Sequence, residues 1–112
     1  MGFTAEEAVA KLGDRDPEVR QAALVVLANL SPEDLATHAG AIVQRLRDDD
    51  AGVRDAALDA LRMFAPEDLA TQANVIVQWL GDDDVGVRRA ALDALAVTLK
   101  LARGYYREAS VS

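Results

Sequence analysis

The chain contains no cysteine, one tryptophan and one histidine, and only 4% of its residues are aromatic. Without thiols it has neither a disulfide framework nor a thiolate zinc site. No apolar run approaches the roughly 20 residues that span a bilayer. The N-terminus shows no basic region followed by an apolar stretch, so no signal peptide is read there. Cations are also short: 12 Lys and Arg stand against 19 Asp and Glu, a formal net charge of −7. Nucleic-acid binders need clustered Lys and Arg to displace the counterions of phosphate, and anionic membranes attract the same residues. Neither partner is expected. The charge suits a neutral or basic protein or peptide, or serves solubility alone. Together these absences lead to the expectation of a soluble, cytoplasmic protein.

What is present is mostly Ala, Leu and Val, within a hydrophobic share of 51%. Ala and Leu are strong helix formers, so closely packed helices are favoured over sheets. A chain of 112 residues buries roughly 65% of its unfolded surface, enough for a core.

One helical phrase occurs three times: "DPEVRQAALVVL" (16–27), "DAGVRDAALDAL" (50–61) and "DVGVRRAALDAL" (84–95). Asp16, Asp50 and Asp84 open the copies at a spacing of 34 residues. The stretches between them repeat as well, since "SPEDLATHAGAIVQRLRDDD" (31–50) matches "APEDLATQANVIVQWLGDDD" (65–84). Each unit reads as two helices. Ser31 caps the first, with Pro32 at its first position and Glu33 and Asp34 in its first turn. Leu35, Ala39, Ile42, Val43 and Leu46 make an apolar stripe along it. Thr4 and Glu7 form a capping-box pattern in the shorter first copy. In the second helix Val53, Ala56, Ala57, Ala60, Leu61 and Phe64 cover a broad arc, so that helix touches more than one neighbour. The spacing predicts helices near 4–12, 16–29, 32–47, 50–63, 66–80 and 84–103, with Gly104 as C-cap and 105–112 as a flexible tail. A lone helix pair cannot cover its apolar side; stacked copies cover one another.

The triplets Asp16/Val19/Arg20, Asp50/Val53/Arg54 and Asp84/Val87/Arg88 are each followed by Ala-Ala-Leu and a Leu three residues further on. In this the chain resembles the HEAT repeat family over residues 4 to about 99. The large aromatics of tetratricopeptide repeats and the Thr-Pro-Leu-His start of ankyrin repeats are missing. The resemblance implies an all-α, short right-handed α-α superhelix of three helix pairs (about 3–30, 31–64 and 65–98) that serves as a protein-binding scaffold. It also implies a ladder between adjacent units built from Asp16, Arg20, Asp50, Arg54, Asp84 and Arg88. A physical argument points the same way, because a charge flanking the apolar arc needs a partner.

Candidate sites are few. The acidic turns (Asp14 and Asp16, Asp48 to Asp50, Asp82 to Asp84) lack the shaped, glycine-bearing loop that calcium needs, so capping and solvation are expected, with acidic docking the functional alternative and no metal. His38 has Gln72 as its counterpart and no nucleophile beside it in the pattern. Trp79 stands where Lys11 and Arg45 occur, and with Val75 it makes an apolar spot on an expected outward face. That spot is either a partner contact or is covered by the tail or edge of the chain. The exposed strip of the second helices comprises Gln21, Val25 and Asn29; Asp55, Asp59 and Arg62; and Arg89, Asp93 and Val97. In HEAT proteins this inner face commonly binds partners. Leu92, Leu99 and Leu101 leave the last unit without a polar cap. That edge awaits Tyr105 and Tyr106, a second copy of the chain in a homo-oligomer, or further repeats.

No reactive constellation, phosphate loop or cofactor motif is found. The expected function is therefore a non-catalytic protein–protein interaction scaffold. The alternative is an accessory module of an enzyme system, such as the HEAT-like bilin lyases.

Overall fold

A computed structural model describes residues 4–111, with side chains described through Gly104. Eight α-helices run through this range: α1 (Ala5–Lys11), α2 (Pro17–Ala28), α3 (Pro32–Thr37), α4 (Ala39–Gln44), α5 (Ala51–Leu61), α6 (Pro66–Ala70), α7 (Ala73–Gln78) and α8 (Val85–Val111). Single 3-10 turns, Arg45–Arg47 and Trp79–Gly81, follow α4 and α7. No strand occurs among the described residues. The units are α1–α2, α3/α4–α5 and α6/α7–α8.

The caps set the boundaries. Thr4 Oγ1 accepts the Glu7 N–H at 3.1 Å while Glu7 Oε1 accepts the Thr4 N–H at 3.4 Å, the reciprocal box expected from sequence. Asp16 accepts from the Glu18 N–H at 2.9 Å, Asp50 from the Val53 N–H at 3.0 Å and Asp84 from the Gly86 N–H at 2.6 Å. Pro17, Pro32 and Pro66 occupy the first turn of their helices, where the missing N–H leaves no bond unmade.

Three expected helices are corrected. The helices expected at 32–47 and 66–80 are each broken in two, at His38 (φ −107°, ψ 15°) and at Gln72 (φ −96°, ψ −6°). The Thr37 hydroxyl donates back to the Glu33 carbonyl at 3.2 Å, and the Thr71 hydroxyl to the Asp68 carbonyl at 2.7 Å. Such back-bonding bends helices. The last helix does not stop at Gly104 but continues to Val111, and no glycine takes a positive φ among the described residues. A single helical Gly costs only about 1 kcal/mol relative to Ala, and the residue in the place of Pro32 and Pro66 is Lys100, which breaks nothing. The covering role considered for Tyr105 and Tyr106 lies outside the described side chains.

The units pile up in sequence order: α2 lies on α5 and α5 on α8, while α1, α4 and α7 flank the second helix of their own unit. The core is thus shared between units. Leu27, Leu61, Ile42, Val43, Leu46 and Val53 are fully buried. Equivalent positions show where the cover comes from. Val43 is 0% exposed but Val77 50%, Leu46 0% but Leu80 39%, and Leu58 7% but Leu92 61%. The side chains are identical, and the difference is whether a unit lies over them among the described residues.

Candidate functional site

Two grooves run between the second helices. The first, of about 290 Å³, separates α2 (Leu24, Val25, Ala28, Asn29) from α5 (Ala56, Asp59, Met63 beyond its end). The second, of about 260 Å³, lies between α5 (Ala51, Arg54, Asp55, Leu58) and α8 (Gly86, Arg89, Ala90, Asp93). Of the strip expected from sequence, the structure brings Val25, Asn29 and Asp59 to the first groove and Asp55, Arg89 and Asp93 to the second. Gln21 is instead half-buried, its Nε2 donating to Asp50 Oδ2 at 3.3 Å. Val97 is half-buried against the core. Arg62 lies outside both grooves and pairs with Asp59 at 2.6 Å on the open surface, a contact worth little. Met63 was missed. It holds the place of Asn29 and Val97 at strict 34-residue spacing, so the signal was there. Met63 and Val25 are exposed, and both belong to the more apolar of the two grooves.

The inter-unit ladder forms, but through other carboxylates than expected. Asp16, Asp50 and Asp84 cap their own helices and take no arginine, though Asp50 also accepts the Gln21 amide across the first joint. The partner in the first joint is Asp48. Arg20 Nε and Nη2 donate to Asp48 Oδ2 and Oδ1, each at 2.9 Å, and Nη2 also reaches Asp49 at 3.2 Å. Both Arg20 and Asp48 are buried. Burial by itself pushes the Asp48 carboxyl up. The hydrogen bonds from Arg20 and from the Asp50 N–H, with the Arg20 charge, outweigh that and hold it below the usual carboxylate value. Arg45 Nη1 joins from the same unit at 3.3 Å.

The second joint is built differently. Arg47 Nη2 reaches Asp82 at 3.4 Å and occupies the acceptor equivalent to Asp48. Its counterpart before the first joint is Gly13, which has no side chain to compete with Arg20. Arg54 accordingly bonds within its own unit, Nη1 donating to the Asp48 carbonyl at 2.7 Å. That intra-unit bond recurs at 2.7 Å from Arg20 to the Asp14 carbonyl and from Arg88 to the Asp82 carbonyl. In every unit, then, the arginine clamps the acidic turn to the second helix.

Trp79 is not on an outward face. It is buried (6% exposed), with the Arg47 guanidinium 5.6 Å above its ring, and Val75 is half-buried beside the core. The physical reason is a swap: where Arg45 sits by Asp48, Trp79 lies beneath the arm of Arg47 that holds Asp82. A partner contact through Val75 and Trp79 is therefore dropped. Because Trp79 is the only tryptophan, its fluorescence reports this joint. Emission is expected to be blue-shifted and poorly quenched by iodide. Arg47→Ala should shift it to the red and destabilise by about 0.5–1 kcal/mol; an unchanged spectrum would show that Arg47 does not cover the ring.

His38 marks the bend between α3 and α4 and makes no side-chain cap bond there. No helix of the described residues is long and apolar enough to cross a membrane.

A family model described as HEAT repeats matches residues 5–96. No curated protein and no solved structure matches the chain. HEAT repeats generally serve as protein-interaction scaffolds and are typically non-catalytic. With three stacked helix pairs in a 34-residue register, and the matched region spanning most of its length, the chain belongs to the HEAT repeat family.

Proposed function

We propose that the chain is a non-catalytic scaffold that holds a protein segment across its second-helix face, with the groove between α2 and α5 as the anchor. The observation that carries this reading is an apolar groove left open to solvent at Val25 and Met63, on a chain of net charge −7. Leu24, Val25, Ala28, Ala56 and Met63 supply the apolar lining, and Asp59 stands on the border beside its partner Arg62, while at the neighbouring groove Asp55 and Asp93 alternate with Arg54 and Arg89. Methionine adapts its shape to varied partners, and the net charge of −7 favours a partner with basic residues flanking its apolar anchor. The partner expected is thus a peptide segment or protein surface with one or two buried aliphatic side chains and adjacent Lys or Arg. Gln21, Arg62 and Arg89 stand near this face, where rim charges steer association more than they hold it.

The test is affinity capture from an extract of the source cells, run in parallel with wild type and a Val25→Glu/Met63→Glu double variant. Both substituted residues are exposed, so the variant should keep its helical circular dichroism. At least one protein should be retained by wild type and lose about tenfold or more in retention on the variant, equivalent to about 1.4 kcal/mol. An identical set of retained proteins on both would overturn the reading.

A further inference from the structure

The far face of the third unit carries Val77, Leu80 and Leu92, all exposed, beside Arg88, whose guanidinium meets only the carbonyls of Asp82 and Asp83 among the described residues. These four residues are identical to Val43, Leu46, Leu58 and Arg54, which the second unit uses to receive the third. Yet the chain does not turn back here. Helix α8 runs straight through the position at which Pro32 and Pro66 start a new unit. From this we infer that the face takes a second copy of this chain, seated by its N-terminal unit, so that the copies join head to tail.

Charge complementarity identifies the occupant. Inside the chain, the joint with a paired ladder is the one in which Gly13 precedes Arg20 and the acceptor Asp48 has Arg45 beside it. The outer face repeats the donor side of that joint, with Gly81 preceding Arg88. The N-terminal unit repeats the acceptor side, with Asp14 in the place of Asp48 and Lys11 in the place of Arg45. The Asp14 carboxylate accepts the Asp16 N–H at 2.9 Å and meets no cation among the described side chains. Arg88 of one copy and Asp14 of the next are therefore the two unfilled halves of the Arg20–Asp48 pair.

The apolar surfaces fit in the same way. Ala22 is exposed, Ala56 half-buried and Ala90 buried, so this alanine faces the preceding unit and is left bare only in the first. Ala90 shares its groove with Leu58; Ala22 of the second copy would meet Leu92 likewise. One departure from the internal joints adds charge rather than removing fit. A Cβ on Gly52 would lie 2.5 Å from the Gln21 amide nitrogen, and one on Gly86 would press on Arg54 Nη2. The first unit has Glu18 at this position. The side chains it would meet across the new joint are Arg89 and Arg88, flexible and of opposite sign. The two faces differ from each other, so the contact is heterologous, and it extends rather than closing at two copies unless the geometry forms a ring.

The test uses the full chain in sedimentation velocity over a wide concentration range. Wild type should show a weight-average mass that rises with concentration above the 12.0 kDa of one chain. Leu92→Lys blocks one face and Ala22→Arg the other. Both residues are exposed, so each variant should keep wild-type circular dichroism. Each should be monomeric alone, and their equimolar mixture should form pairs and nothing larger. A wild type that stays monomeric at its highest attainable concentration would overturn the inference. So would an Ala22→Arg variant that still dimerises while Leu92→Lys does not, because that result means two outer faces meet each other.

Discussion

Leu58→Ala is expected to lower the unfolding free energy by about 2–5 kcal/mol, and Leu92→Ala by less than about 1 kcal/mol. The two residues share a side chain, a place in the unit and a helix type. Leu58 is 7% exposed because α8 lies over it, and Leu92 is 61% exposed because no helix lies over it among the described residues. Truncating Leu58 removes its transfer free energy and leaves a void beneath Ala90 and Gly86. Truncating Leu92 removes atoms that already touch water. Leu24, fully buried between α2 and α5, should behave like Leu58. Urea unfolding at low protein concentration, where self-association does not contribute, measures all three. Equal losses at Leu58 and Leu92 would mean that the stability does not come from stacking, and the scaffold reading would lose its structural basis.

The reason this comparison is available is that the sequence repeats so closely. The 34-residue period, the caps at Thr4, Asp16, Ser31, Asp50 and Asp84, and the buried stripe Leu35, Ala39, Ile42, Val43 and Leu46 were legible because each depends on neighbours within one or two turns. What was not legible depends on geometry between units or on small local competitions. Trp79 looked exposed because its counterparts are Lys11 and Arg45; its cover is Arg47, which belongs to the previous unit. The resemblance to HEAT repeats points to Asp16, Asp50 and Asp84 as the ladder carboxylates, and in sequence nothing separates them from the acidic residues beside them. Only the turn decides that Asp50 caps the helix while Asp48 points back toward Arg20. The bends at His38 and Gln72 turn on single threonine hydroxyls, and the run of α8 through Gly104 on the absence of a proline at Lys100. The groove is half legible: Val25, Asn29 and Asp59 belong to the expected strip, while Met63 shows only at the strict period.

Asp48→Ala is expected to cost about 2–3 kcal/mol, at or just below the lower end of the range for breaking a buried pair. The carboxylate is 3% exposed and takes two bonds from Arg20, one from Arg45 and one from the Asp50 N–H. Its loss leaves the guanidinium of Arg20 without its main acceptor inside the first joint. A polar cleft beside Gly13, Gln44 and Arg47 lets water relieve part of that penalty, which is why the full cost of a dry charge is not expected. Arg20→Ala should destabilise clearly more than Arg88→Ala, because Arg88 has only its own turn to clamp; Arg54→Ala should fall between them. The pair also fixes a pH dependence. The Asp48 carboxyl titrates lower in the folded chain than in the unfolded one. Its contribution is therefore complete above the unfolded value of about 4 and is lost as pH falls through the lower folded value. Asp48→Asn has no such proton to take up, so the wild-type and Asn curves of stability against pH should lie apart near neutrality and converge below about pH 4. Parallel curves down to strong acid would show that the Arg20–Asp48 pair does not couple folding to this carboxyl, and the ladder would then join the units by shape and hydrogen bonding rather than by charge.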